Sequence, residues 1–292
     1  MKPRTTSGQM LMLAPASLVL MGLFAGGVAL AVLQSTGFFA PASEHSFTLR
    51  HYTAMLMNRE FQLSLILTIA VAAVSTILSA VAGVALALSL RSLAGRWPLV
   101  NALVQVPIAI PHLVMAVLLI NVLSQSGLVA RLGYAAGVVA LPNEFPVLVN
   151  DPYAIGVITA YVLKETPFIA AVALAMLART GDEYESLAAT LGASPWQRLR
   201  HVTFPLLAPA VVSSSMIVFA FIFGAFEVPF LLGRPYPSML GVVAQRRFTS
   251  IDLAERPDAI AVSVLMSLIT AVLAWAYLKL MRNQIGERPT LF

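Results

Sequence analysis

The chain has 292 residues, 59% of them hydrophobic and only 11% charged, with a mean hydropathy of +0.86. Soluble domains carry about 25% charged residues, so this is an integral membrane protein, and its net charge of +5 reads as a topology signal, not a nucleic-acid footprint. The absence of cysteine excludes disulfides, thiolate metal sites and cysteine nucleophiles.

A helix needs about 20 mainly apolar residues to cross about 30 Å of hydrocarbon. Six such runs are expected: Met10–Leu33, Leu63–Leu90, Leu99–Leu123, Tyr153–Ala178, Leu206–Leu232 and Ala259–Leu280. They are long and continuous, unlike the short alternating segments of a barrel. The predicted fold class is an all-α membrane protein, one transmembrane domain over residues 1–292 with six helices. The first run follows Lys2 and Arg4 but is longer than a signal-peptide core, so it reads as a retained span. Its Gly22 and Gly26 form a Gly-x-x-x-Gly pair, which packs helices closely but is common by chance in apolar sequence. The segment Leu49–Gln62 reads as a short helix at the outer interface.

In the third run, Pro107 and Pro111 remove two backbone bonds and predict a kink. His112 beside the bend reads as a packed or hydrogen-bonding residue, because no second ligand stands at metal spacing. No metal site is expected. The fourth run carries Lys164 and Glu165 midway. Successive helix residues do not face each other, so these two do not pair together.

A polar loop, residues 179–205, follows. It contains EYESLAATLGASPWQRLRHVTFP, Glu183 to Pro205. Asp182 suits an N-cap with Glu185 three residues on, and Glu183 and Glu185 suit the positive end of a helix. Leu187, Ala188 and Leu191 recur at helical spacing, and Gly192 is placed to stop the helix in a left-handed cap. Ser194, Pro195 and Gln197 then spell the start of a second helix with Trp196, Leu199 and Val202 on its apolar stripe. Ala188 and Ala189 are small enough to allow close approach of another backbone. An exposed helix of this kind suits docking into a partner's groove.

The fifth run contains Glu227, with Pro229 two residues later to loosen the helix and free carbonyls. Ionisable residues inside a membrane are costly and point to function. Two readings stay open: a structural ion pair, such as Lys164 with Glu227, or a solute path in which Glu227 attracts a cation beside Lys164, Glu165 and Pro229. Counting Lys and Arg with the N-terminus inside places Lys2, Arg4, Arg91, Arg96, Arg179, Arg198, Arg200, Lys279, Arg282 and Arg288 on the inner side. Arg50, Arg59, Arg131, Arg234, Arg246, Arg247 and Arg256 fall outside. Both termini and the polar loop are then cytoplasmic.

The loop resembles the signature of the permease subunits of type I ABC importers, the binding-protein-dependent inner-membrane components. That signature is Glu-Ala-Ala, three residues, Gly, nine residues, then Ile-x-Leu-Pro. Here Ala188 takes the third position, Gly192 follows at the right distance, and nine residues lead to Val202, Thr203, Phe204 and Pro205. Ser186 stands at the Glu position and Leu187 at the first Ala, with Glu183 and Glu185 nearby to supply acidic character. The stretches VPIAIPHLV, DPYAIGVITAYVLKETPFIAAVAL and FAFIFGAFEVPFLLG are similar to spans of the polyamine branch.

The resemblance implies a coupling helix formed by Glu183, Glu185, Ser186, Leu187, Ala188, Gly192, Ala193 and Ser194. It implies an ABC ATPase dimer as partner, a second permease subunit, identical or different, and an extracytoplasmic solute-binding protein. The chain would lie in a bacterial inner membrane, in contact with lipid and not with nucleic acid. It would form half of a pathway for a small polar, polyamine-like solute, working by alternating access. No cofactor is expected on this chain, since it lacks a Gly-x-x-x-x-Gly-Lys-Ser/Thr loop, and ATP and Mg would sit on the ATPase subunits. Arg234, Arg246, Arg247 and Asp252 are candidate contacts on the outer side. An ion-driven secondary transporter or channel is the alternative, weakened by the lack of an obvious inverted repeat. An intramembrane enzyme would need convergent nucleophile, base or metal ligands, and four His with no Cys do not spell them.

Overall fold

With no water at bilayer depth, only a helix satisfies every N–H and C=O of a single apolar run from within. The computed structural model describes residues 7–38, 47–91, 98–180 and 183–286, and these form helices and no strand. In chain order they are α1 (Ser7–Ser35), α2 (Arg50–Met57), α3 (Arg59–Arg91), α4 (Pro98–Ala109), α5 (His112–Leu123), α6 (Leu128–Ala135) and α7 (Ile155–Thr180). There follow α8 (Glu183–Thr190), α9 (Pro195–Arg198), α10 (Phe204–Gly224), α11 (Glu227–Leu232), α12 (Leu240–Phe248) and α13 (Arg256–Gly286). Among the described residues, six helical runs are long and apolar enough to cross a membrane: Met12–Ser35, Arg59–Arg91, His112–Ala135, Ile155–Arg179, Pro195–Gly224 and Leu253–Lys279. The chain is a multi-pass, all-α membrane protein.

Two spans differ from their expected outlines. The third, expected as one kinked run, is two helices separated at Ile110–Pro111, while Pro107 stays inside α4. The difference lies in the next amide: Pro111 has none to offer the carbonyl of Pro107, and its ψ of 144° turns the chain out of the helix. The fifth begins earlier than expected, at Pro195, and is interrupted after Gly224. The short helix expected near Leu49–Gln62 is α2, and Asn58 separates it from α3. The Asn58 side chain accepts the amides of Glu60 at 2.8 Å and Phe61 at 3.3 Å, starting the next helix. Arg96, Asp182 and the basic residues at the two ends, Lys2, Arg4 and Arg288, lie outside the described residues.

Contacts group the chain into two units. The first comprises Met1–Phe61 and Val243–Leu268. In it Ser35 and Tyr52 share a hydroxyl hydrogen bond of 2.6 Å, and the amide of Thr48 donates to the carbonyl of Thr36. Glu60 binds Arg246, and its other oxygen lies 3.6 Å from Arg247. Asp258 holds His51 at 2.7 Å and lies 3.9 Å from Arg247.

The second unit comprises Gln62–Val242 and Ile269–Phe292. Its axis is α7, which packs on α10, α4, α5 and α11. Half of its apolar window is buried inside the chain, against none for Met12–Ser35. Small residues make that packing close. Ala87, Ala170, Ala173, Leu177 and Leu207 form a buried cluster of α3, α7 and α10. A Cβ on Gly83 would lie 2.9 Å from the Cβ of Ile169 and 3.1 Å from the carbonyl of Thr166. Helix association between apolar surfaces in lipid depends on such contact distances, because lipid tails are as apolar as the helices. Gly83→Leu is therefore expected to destabilise the chain by about 1–3 kcal/mol, the usual range for overpacking. The check is the thermal midpoint in detergent, with Gly22→Leu, which meets nothing within 4 Å in the chain, remaining at the wild-type value.

Candidate functional site

Each device in the loop between α7 and α10 has a local cause. α8 opens with Glu183 and Glu185 in its first turn, where acids complement the helix dipole. It stops at Gly192, whose φ of +84° is the left-handed region. The amide of Ala193 donates to the carbonyl of Ala188 at 3.0 Å, and that of Gly192 to Ala189 at 3.0 Å. Together they are the paired bonds of a Schellman stop. A Cβ at Gly192 would touch nothing within 4 Å, so only backbone conformation restricts that position.

Two residues on, Ser194 and Gln197 form a reciprocal capping box around Pro195 at the first helical position. The second helix expected here does not end. α9 passes through a π-helical stretch, Leu199–Thr203, directly into α10. Pro205 explains the wide turn: it offers no amide to the carbonyl of His201 and its ring crowds it. The loop is thus one short helix, a four-residue joint, and a helix continuous with a span.

Glu185 ties this assembly together. Its Oε1 accepts from Arg91 Nη1 at 2.5 Å, at the end of α3, and from the hydroxyl of Thr203 at 2.5 Å, at the start of α10. Arg91 and Glu185 are about three-quarters covered. Glu183 and Ser186 are exposed. Tyr184, Leu187, Leu191 and Trp196 are also exposed, leaving an aromatic and aliphatic surface on the loop. Of these, Tyr184, Leu187 and Leu191 line a groove of about 440 Å³ together with Val202 and Pro209. Ala188 and Ala193 are half-buried and Ser194 is exposed.

The second set of candidates lies at the two broken spans. Lys164 is buried, and its ammonium donates to the carbonyls of Pro107 at 2.8 Å and Ile108 at 2.9 Å. Glu165, also buried, lies 3.1 Å from Nε2 of His112. The ring of His112 sits 4.5 Å from that of Phe221, which meets Tyr161 edge-on at 6.5 Å. Lys164 is thus not brought to Glu227. Glu227 is half-buried at the first position of α11, with no ion-pair or hydrogen-bond partner among the described residues. Pro229 is buried in α11. The fifth-span break falls at Ala225–Phe226, four residues before Pro229, where proline leaves the carbonyl of Ala225 without its amide.

The outer candidates are engaged within the chain. Arg246 and Arg247 meet Glu60, the Asp252 side chain accepts the amide of Ala254, and Arg234 donates to the carbonyl of Pro237. Thr203 and Arg91 carry the Glu185 contacts without having stood out in the sequence as site residues. Arg91 appeared there only as a topology charge.

The family described as "Binding-protein-dependent transport system inner membrane component" matches residues 79–283. The chain belongs to this family. Among its relatives, the molybdenum transport system permease protein ModB of Mycobacterium tuberculosis is 33% identical over 178 residues, 60% of this chain and 63% of that protein. The chain therefore spans under two thirds of the length of that relative. The trehalose transport system permease protein SugA of the same organism is 29% identical over 283 residues, 92% of this chain and 87% of that protein. A crystal structure of a bacterial ABC transporter involved in the import of the acidic polysaccharide alginate aligns with a TM-score of 0.76 at 20% identity. It covers 96% of this chain and 95% of that one, and at this identity the likeness establishes the fold.

In this permease-family chain the Glu185 contact is testable on its own. A hydrogen bond to a charged group contributes about 1.5 kcal/mol. Glu185→Ala is therefore expected to raise hydrogen exchange of the α8 amides about tenfold. Glu183→Ala, which removes only an exposed charge at the start of the helix, raises it by about fivefold at most.

Proposed function

We propose that this chain is the transmembrane subunit of an ATP-driven ABC importer. It forms half of the solute pathway and switches between inward- and outward-facing states when separate ATPase subunits close. The observation that carries this reading is the construction of the α8 loop. A stopped, stiff helix with an exposed apolar surface is joined through Glu185 to α3 and through a short joint to α10. A stiff helix transmits displacement, and a slack loop absorbs it. Ser186 replaces the signature acid, and Glu185 is committed to Arg91 and Thr203, so Glu183 is the acid left facing the ATPase cleft. The chain has no phosphate-binding loop in its sequence, which assigns ATP and Mg to the partner chains.

The partners in this reading are an ABC ATPase dimer, a second permease subunit and an extracytoplasmic solute-binding protein. Both termini and the α8 loop face the cytoplasm of a bacterial inner membrane, the orientation favoured by the basic residues. The solute is a small polar cation of polyamine type. Its support is the unpaired Glu227 beside a helix break, a carboxylate placed where a cation is attracted.

The decisive experiment is purification of the full chain followed by identification of what accompanies it. An ATPase carrying a phosphate loop, with ATP hydrolysis stimulated by a solute-binding protein, supports the importer. Ion-driven uptake by the chain alone would overturn it in favour of a secondary transporter. Gly192→Val forces a left-handed backbone on a β-branched side chain that resists it by about 1–2 kcal/mol. It is expected to leave ATP hydrolysis in place while solute uptake falls. Glu227→Gln is expected to raise the half-saturating concentration of a cationic solute about tenfold, with assembly unchanged by gel filtration.

A further inference from the structure

Among the described residues, Lys164 and Glu165 are adjacent on α7 yet reach opposite sides of one break. Pro111 deprives the carbonyl of Pro107 of its helical donor, and the turn at Ile110–Pro111 deprives the carbonyl of Ile108 as well. At membrane depth an unsatisfied carbonyl is costly. The Lys164 ammonium meets both, at 2.8 and 2.9 Å, placing a positive charge on the negative end of α4. Glu165 takes the other side, holding His112, the first residue of α5, at 3.1 Å. Successive helix residues point about 100° apart, which is why one pair can grip two helices. The angle between α4 and α5 is therefore set by charges on a third helix, not by proline alone.

That third helix also leads to the loop. α7 runs unbroken from Ile155 to Thr180, just before α8. Thr180 lies sixteen positions beyond Lys164, about 24 Å along a helix at 1.5 Å per residue. We propose that Lys164 and Glu165 form a two-point latch that converts movement of α7 into a change of angle at the α4–α5 break during the transport cycle. They are positioning residues acting on the pathway wall, and need not contact solute. This proposal rests on the importer reading for its driving force, but the latch itself is a property of this chain.

The chain has no native cysteine, so labels placed by cysteine substitution report without background. Val106 on α4 and Val117 on α5 are exposed, at 50% and 46%. Spin labels there measure the break angle by pulsed electron resonance in the complete transporter, with and without trapped ATP. Expected is one narrow distance without nucleotide that shifts on trapping, and a broad, unshifted distribution in Lys164→Met. Lys164→Arg, which keeps the charge, restores the shift in part. The transport-to-hydrolysis ratio falls about tenfold in Lys164→Met, the scale of typical coupling between sites, while basal hydrolysis stays. A wild-type distance that does not shift, or a shift that survives in Lys164→Met, overturns the latch. If Lys164→Met does not fold, Glu165→Gln serves, with a broadened distribution expected and an unchanged one overturning. If no ATPase accompanies the chain, the importer reading fails. The label width of wild type against Lys164→Met in the chain alone then still decides whether these charges hold the break.

Discussion

A backbone carbonyl left without a donor in hydrocarbon costs several kcal/mol, and Pro111 leaves such a carbonyl in the middle of the third span. The answer is a lysine from another helix. Lys164 caps the end of α4, Glu165 holds the start of α5, and the position of α7 against both follows from those contacts. The small residues around Gly83, Ala87, Ala170 and Ala173 then allow α3 and α10 to close on the same helix. A charged pair in a membrane is usually searched for a mutual partner or a solute. Here the pair is shared between backbone and a histidine, and Glu227 has no hydrogen-bond or ion-pair partner among the described residues.

The loop at the other end of α7 faces the opposite constraint. In water a short helix of eight residues has little stability of its own, so its ends must be held. The Schellman stop at Gly192 and the capping box at Ser194 do this with backbone and side-chain hydrogen bonds a few residues apart. Glu185 adds the tertiary tie to Arg91 and Thr203. The π-helical turn before Pro205 makes α9 continuous with α10. The result is a short helix held to α3 and α10, with exposed aromatic and aliphatic side chains.

Much of this was legible because its causes are local. Apolar runs declare spans, Gly192 declares a stop, and Ser194-Pro195-Trp196-Gln197 declares a start, each within one helical turn. The resemblance of the loop to a permease signature named the family from the same few residues. The broken third span was half legible. Two prolines announced a disturbance, but a kink and a complete break differ only in whether something satisfies the freed carbonyls. The second helix expected in the loop starts where its caps placed it, but its continuation into α10 was not legible, since proline near a helix start permits either an end or a widened turn.

Composition, hydropathy and cap chemistry determined that this chain crosses a membrane as helices and where its loop bends, and the resemblance of that loop to a permease signature pointed to the family. Tertiary structure alone decided the partners: Lys164 with carbonyls 57 and 56 positions away, Glu165 with His112 across 53, and Glu185 with Arg91 across 94. The physical reason is that lipid and neighbouring helix are equally apolar, so hydropathy does not say which face of a span turns inward. Only the packing of small residues and the need to satisfy buried charges and freed carbonyls select the rotation that brings those side chains together.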